Sequence, residues 1–524
     1  QATLKLGARF DRPGHAMQFY FLRDPDRIGA TLEKMMTPNR AAAAAIELNL
    51  DDLLVERKRN LSRYLAHEEM YIVLWTRPSG LAKSEFKRAR DIRKNAKWPP
   101  AKNSQFPFAG LEPLRLKHKA FVSNISESLF ELGIVAHVME VHEALRAVRS
   151  SIYPTLSNDK WKACLPGDKV PPRRSRYKRD WSDILWPSLG QQLCPLDAEV
   201  LGANTVRVGD LVWAATDMSL GPSDASPFPQ ILGRLIEANM PFRVSFLIES
   251  GGAAGESFRK LASAVLAFSN SVNKQIKDTL NELMALARSE PVVKLRVSFA
   301  TYCNHSAHVN DKRLIETRLA NLMQSVESWG YCQVSNNCGD PLEAVMSSAL
   351  GISCASTAPA GIAPLMEVAK MLPWQRASSP FNEGSVILRS PDGRIWPYQT
   401  GTALTTTWFD LIFAQPGSGK SVLMNAQNLG TILSAGMSHL PFVAILDIGP
   451  SSAGLISLIR DALPAERRHE AMHFRLLMTP DYAVNPFDTQ LGCRRPLPDE
   501  RSYLVELLTL ICTPPGQDMP YDGM

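Results

Sequence analysis

Residues Trp408 to Asn425 read WFDLIFAQPGSGKSVLMN. An apolar run, Leu411 to Ala414, enters a tight loop, Gln415-Pro416-Gly417-Ser418-Gly419; Lys420, Ser421 and an apolar pattern opening at Val422 follow. Strand, glycine-rich loop and helix in that order are the context a phosphate-binding loop requires. Successive backbone N–H groups of the loop, with the unpaired donors of the new helix, can surround a polyphosphate. Gly417 and Gly419 permit dihedrals and a close backbone approach that a β-carbon would obstruct. Lys420 supplies a point charge for the β- and γ-phosphates, and Ser421 a hydroxyl ligand for magnesium. The candidate ATP site is therefore Gln415, Pro416, Gly417, Ser418, Gly419, Lys420, Ser421 and Val422, with Lys420 as the catalytic cation and Ser421 on Mg2+. The usual pattern opens with glycine where this chain has Ala414. An ordinary turn would account for the two glycines alone, but not for a Lys-Ser pair at this offset.

At 524 residues the chain exceeds one ordinary core, so two to four domains are expected. An apolar content of 45% with 21% charged residues excludes a disordered chain. The net charge of +6 permits acidic partners without demanding them. Eight cysteines lack a framework spacing, and reduced thiols are expected. No apolar run has the length of a membrane-spanning helix, and no secretory signal is present. The chain begins at Gln1 and stops at Met524 within PYDGM, and is expected to be part of something longer.

Upstream, His15 to Leu22 reads as a strand, Arg27 to Met36 as a short helix and Asp51 to His67 as a charged helix. Met70 to Trp75 reads as a strand buried on both faces. Lys83 to Lys97 is basic and amphipathic, with seven cations against two carboxylates. Such a surface suits anionic lipid, an acidic protein or nucleic acid, and a plain solvated helix face looks the same. Asn124 to Ser150 carries the pattern of one long helix, and its His137 and His142 read as core or boundary residues. Residues 166–179 form a basic, proline-rich loop whose return Trp181 and Trp186 would pack.

Thr205 to Ala215, Phe242 to Glu249, Pro291 to Tyr302 and Tyr331 to Val334 read as strands. Helices are expected over Ala253 to Ala287, Asp311 to Trp329, from Asp340-Pro341 to Leu350, and over Pro364 to Leu372. Cys303, His305 and His308 near Cys332 and Cys338 invite a zinc reading, but the spacing matches no usual knuckle and unligated side chains are favoured. Ser385 to Tyr398 reads as a hairpin around Ser390-Pro391-Asp392-Gly393. Regions are expected at 1–200 (α+β, with basic segments), 201–375 (a second α+β subdomain) and 376–524 (a P-loop domain, incomplete at its C-terminal end).

Beyond the loop, the helix should run to about Ser434, and Pro441 to Asp447 reads as a buried strand. Asp447 at its end is a candidate magnesium carboxylate, but Ile448 stands where many hydrolases place a water-polarising glutamate. An orienting or structural role is favoured for it. Asn485-Pro486 turns the chain, and Arg501 to Ile511 is a helix with Leu504, Leu507, Leu508 and Ile511 inward.

Ala414 to Ser421, the strand ending Asp447-Ile448-Gly449-Pro450-Ser451, and Asn485-Pro486-Phe487-Asp488 together resemble the energising ATPases of type IV secretion and conjugation machines. The resemblance is nearest to their type IVB branch, the IcmB/DotO and plasmid TraU proteins. It implies an α+β N-terminal region followed by an α/β RecA-like P-loop NTPase domain of the HerA/FtsK type, here truncated. It further implies a homo-hexamer in the bacterial cytoplasm, peripheral at the inner membrane. Expected partners are other secretion-machine subunits, including a second ATPase. By the same resemblance Lys420 and Ser421 would hold ATP and Mg2+, and Asp447 would be the second-strand aspartate and not the magnesium carboxylate. The family's magnesium aspartate, catalytic glutamate and arginine finger correspond to no residue of this chain. Two alternatives stay open: a DNA-translocating motor or helicase of the same superfamily, and a nucleotide-binding scaffold without turnover.

Overall fold

The computed structural model describes residues 7, 10, 13–95, 112–156, 160–165, 168, 188–223, 226–252, 285–305, 309–335, 337–475, 479–482 and 485–521. The expected helix over Ala253 to Ala287 lies almost wholly outside them, as do the basic loop at 166–179 with Trp181 and Trp186, and His308. The content is mixed α and β with a mainly antiparallel sheet. Two compact units are formed, one of residues 1–41, 51–409 and 433–436, the other of residues 42–50, 410–432 and 437–524.

The first unit is built on strands β1 (His15–Asp24), β2 (His67–Thr76), β3 (Ala198–Val200), β4 (Thr205–Val208), β5 (Leu211–Leu220), β6 (Phe242–Glu249), β7 (Val292–Asn304), β8 (Gln333–Val334) and β9 (Gly361–Pro364). Among the described residues they form one sheet in the order β2-β1-β6-β7-β5-β4-β3, with β8 on β5 and β9 on β7. The antiparallel pair β3–β4 crosses the division expected at residue 200, so one sheet continues through it. The hairpin β10 (Val386–Arg389) and β11 (Ile395–Tyr398) also falls in this unit, although a boundary was expected at 375. Ile387 of that hairpin is buried with Ile28, Leu32 and Leu65.

Period-2 alternation divides the sheet into two faces. Phe19 and Phe21 of β1, Phe242, Val244 and Phe246 of β6, and Val297 and Phe299 of β7 share the larger core. Helices Glu112–Glu131, Phe228–Glu237, Val309–Glu327 and Leu365–Met371 contribute Phe121, Phe228, Leu322, Val368 and others to it. The opposite face carries Gln18, Arg243, Ser245, Ser298, Asp217 and Tyr302, all buried. Ser348 to Ala358, which has no regular structure after the helix Pro341–Ser347, is bonded to that polar face. Gln18 Nε2 donates to the Ala349 carbonyl at 2.8 Å, and its Oε1 accepts from the Gly351 N–H at 2.9 Å. Arg243 Nε donates to Ser348 Oγ at 2.9 Å, Nη2 to the Val345 carbonyl at 2.7 Å, and Nη1 to the Ser151 carbonyl. Ser298 Oγ lies 3.0 Å from Ser356 Oγ, and Thr357 donates to Asp217. An irregular segment that is half-buried against a sheet needs such partners, because its backbone groups have no ladder of their own.

Several elements differ from expectation. The first helix runs from Ile28 to Ala45, through Pro38. Thr37 Oγ1 donates to the Glu33 carbonyl at 2.9 Å, and the following alanine run, the best helix former, sustains the helix. The pattern over Asn124 to Ser150 is two helices, Glu112–Glu131 and Val141–Ile152. Gly133, at φ 75°, stops the first: the Ile134 N–H reaches the Leu129 carbonyl and the Gly133 N–H the Phe130 carbonyl, a Schellman pair. Val135, Val138 and the His137 side chain are consequently exposed. Thr205 to Ala215 is a hairpin folded at Gly209, whose φ of 61° suits a two-residue turn led by glycine. β2 is an edge strand and only half-buried, because β1 is its one ladder neighbour in the sheet order.

Replacing Arg243 by methionine keeps the bulk and removes every donor. We expect faster amide exchange across 345–358 and a loss of roughly 3 kcal/mol in urea unfolding, from the lost charge-assisted bonds and the Ser151 carbonyl left unpaired. Arg243→Lys should fall between the two, and exchange unchanged in the methionine variant would show that other groups hold the segment.

Candidate functional site

Residues 415–421 make a turn that passes directly into the helix Lys420–Ile432. Pro416 presets one φ at the start of the turn. Gly417 and Gly419 both adopt left-handed backbone, at φ 82° and 92°. A β-carbon at either would meet nothing within 4 Å, so glycine is required there by conformation and not by crowding. The Ser418 N–H and Oγ both donate to the Gln415 carbonyl, at 3.2 and 2.6 Å, and the first helical bond, Leu423 N–H to the Gly419 carbonyl, measures 2.9 Å. The loop is exposed from Gln415 to Lys420, Ser421 is half-buried and Val422 is exposed. An open helix N-terminus reached through two left-handed glycines can offer N–H groups to an anion, with the helix dipole adding to the attraction. The Lys420 ammonium stands on the first helical residue, where a triphosphate would be met. The donor set thus fits a polyphosphate, and Ser421 Oγ is the oxygen available to an accompanying Mg2+.

Asp447 has a different occupation. Its carboxylate accepts from the Gly449 N–H at 3.1 Å, Ser451 Oγ at 2.6 Å and the Ser452 N–H at 3.0 Å. The Ser451 hydroxyl, then the Gly449 amide, hold this carboxyl below the usual aspartate range. It therefore shapes the turn Pro450–Ser452 that leads into the helix Ala453–Ala462. Asn425, one helical turn beyond Ser421, donates through Nδ2 to the Ser451 carbonyl at 2.9 Å. Asp447, the turn and the helix behind the loop are thus bonded in series. The sequence reading missed Asn425; its only signal was a polar residue four after Ser421 on the same helical face.

The segments expected as strands on either side are not paired. Among the described residues neither 411–414 nor 441–447 belongs to a ladder. Phe413, Phe442, Leu446 and Ile448 are almost fully exposed, so the expected buried strand at Pro441 to Asp447 is a largely uncovered segment without regular structure. Apolar composition favours a strand, but only a partner's N–H and C=O groups make one. The last helix, Pro498–Ile511, likewise buries no residue, and Leu508 and Ile511 of its expected inner face are exposed. Asn485-Pro486 does turn the chain: the Phe487 N–H donates to Asn485 Oδ1 at 3.1 Å and the Asp488 N–H to the Asn485 carbonyl at 3.3 Å.

No three metal-ligating side chains cluster among the described residues. Burial pushes the thiols of Cys303 and Cys338 up to about 11 and that of Cys332 up to about 12, which keeps them protonated. All eight cysteines are unpaired. No family model matches the chain, and no curated protein matches it.

Asp447→Ala should speed amide exchange at Gly449 and Ser452 without changing the sheet of the first unit. Because the folded carboxyl titrates below its ordinary value, its contribution is complete above about pH 4 and is lost as the pH falls through the folded value. An NMR titration of the Ser452 amide should therefore show a transition below about pH 4, absent from the alanine variant.

Proposed function

We propose that this chain binds ATP with Mg2+ at 415–422 and belongs to an ATPase that powers assembly of, or transfer through, a type IVB secretion or conjugation machine. The observation that carries the nucleotide reading is the turn with Gly417 and Gly419 in left-handed backbone, leading into a helix that opens at Lys420. The machine-level reading is supported by the motif combination of that loop with Asp447 and Asn485-Pro486-Phe487-Asp488. Under it the chain is an α+β region followed by a RecA-like domain. It acts as a hexamer with other machine subunits, peripheral at the bacterial inner membrane.

In this reading the bound magnesium triphosphate supplies the phosphoryl group, and the chain's residues position it. Backbone N–H groups around Gly417 to Ser421 face the phosphate oxygens, the Lys420 ammonium offsets their charge, and Ser421 Oγ ligates the metal. Asp447, already engaged by Gly449, Ser451 and Ser452, orients the neighbouring turn and takes no proton.

Calorimetric titration with Mg2+ and a non-hydrolysable ATP analogue tests the loop. Lys420→Ala should weaken binding by about 30-fold or more, the loss of roughly 2 kcal/mol of charge-assisted contact. Equal affinity in wild type and variant would remove the nucleotide reading. Hydrolysis that rises severalfold with DNA would favour a translocating motor, and nucleotide binding with no turnover would favour a scaffold.

A further inference from the structure

Beside the turn Pro78–Gly80, the start of the helix Lys83–Asn95 borders a cleft of about 410 Å³. Its lining combines apolar Pro78, Leu81 and Phe86 with cationic Lys83, Lys87 and Arg90. A volume of this order suits a small ligand group. The turn is held firmly: the Arg77 N–H donates to the Gly14 carbonyl at 2.7 Å, the Gly80 N–H to the Arg77 carbonyl at 2.9 Å, and Lys117 Nζ to the Gly80 carbonyl. A side chain at Gly14 would collide with the Gly80 backbone, so the two segments meet there at a distance only glycine allows.

At helical spacing Lys83, Lys87, Arg90 and Lys94 form one stripe, with Phe86 beside it. Like charges three and four residues apart weaken a helix. Among the described residues no carboxylate is paired with Lys83, Lys87 or Arg90. Glu85 accepts from the Ala82 N–H at 2.8 Å at the helix start, and Asp91, adjacent to Arg90 and four residues after Lys87, is exposed and forms no ion pair with the three cations. The helix therefore keeps uncompensated repulsion on the face that borders the cleft, which an anion would relieve. Phe86 is 50% exposed there.

We propose that this cleft takes the headgroup phosphate of an anionic phospholipid at a bilayer surface, with Lys83, Lys87 and Arg90 around the phosphate. Phe86, Leu81 and Pro78 would meet the glycerol and upper acyl region. An amphipathic helix with a cationic face and an adjoining apolar side chain lies in the plane of a charged interface in this way. Nucleic acid also carries phosphates, but Phe86 is the only aromatic residue between Lys83 and Asn95, so this helix offers no platform for successive bases. This site is independent of the loop at 415–422.

Co-sedimentation of the full chain with vesicles tests the proposal, using pure phosphatidylcholine against phosphatidylcholine containing phosphatidylglycerol. Wild type should bind the anionic vesicles about 100-fold better than the neutral ones. The triple variant K83Q/K87Q/R90Q should lose about 100-fold of that binding, from about fivefold per cation. Phe86→Ala should weaken vesicle binding several-fold while leaving any binding to a DNA duplex unchanged. All these side chains are exposed, and circular dichroism melts should match wild type. Equal binding to both vesicle types, or anionic-vesicle binding retained in the folded triple variant, would overturn the proposal. So would loss of DNA binding in the triple variant with vesicle binding intact, which would assign the cleft to nucleic acid.

Discussion

The arrangement of the first unit depends on one buried cation. Arg243 is almost fully enclosed on β6, and among the described residues it has no carboxylate partner. Its charge is spread over the Ser151 and Val345 carbonyls and the Ser348 hydroxyl, and it lies 3.9 Å from the centre of the Trp213 ring. Desolvating a guanidinium costs several kcal/mol. Three charge-assisted hydrogen bonds at roughly 2 kcal/mol each, and a desolvated cation–π contact of about 2 kcal/mol, offset it. Burial lowers the group to about 10, still far above neutrality, so the charge survives inside the protein.

That cation explains why the two faces of one sheet are finished so differently. The face bearing Phe19, Val244 and Phe299 is closed by helices that satisfy their own backbones, and only apolar area has to match. The other face receives Ser348 to Ala358, an irregular stretch whose carbonyl and amide groups would be orphaned against an apolar wall. Gln18, Arg243, Ser298 and Asp217, drawn from four adjacent strands, supply the partners. Glu249 extends the pattern, pairing with Arg77 at 2.7 Å and Arg296 at 2.9 Å, and both arginines also donate to carbonyls of the same stretch, at Cys354 and Ala358.

The second unit contrasts with the first in how its chain is held. Its candidate loop needs only local conditions: two left-handed glycines, a proline and a helix start. Bonds through Asp447 and Asn425 then connect the helix behind the loop to the turn at 450–452. The apolar segments beside the loop require pairing that no described strand supplies, and their side chains stand in solvent. The glycine-rich loop and the sheet that would brace it are thus separable in physical origin, one local and one not.

Local order was legible in the residues themselves. The start of β1, the whole of β6, the hairpin turned at Gly393 and the helix opening behind the glycine-rich loop follow from alternation, turn chemistry and capping, which act over a few residues. The candidate site residues were readable for the same reason, being contiguous; Asn425 was not, since its importance lies in a bond to Ser451, 26 positions away. Periodicity also ran through Gly133, because an apolar stripe persists in sequence even where the backbone has turned. What tertiary structure alone decided was which distant strands pair, such as β1 with β6, and that Arg243 lies inside. The bonds of Arg243 reach residues 92 to 105 positions away and β1 pairs across a still longer interval, so no local window of sequence contains both partners.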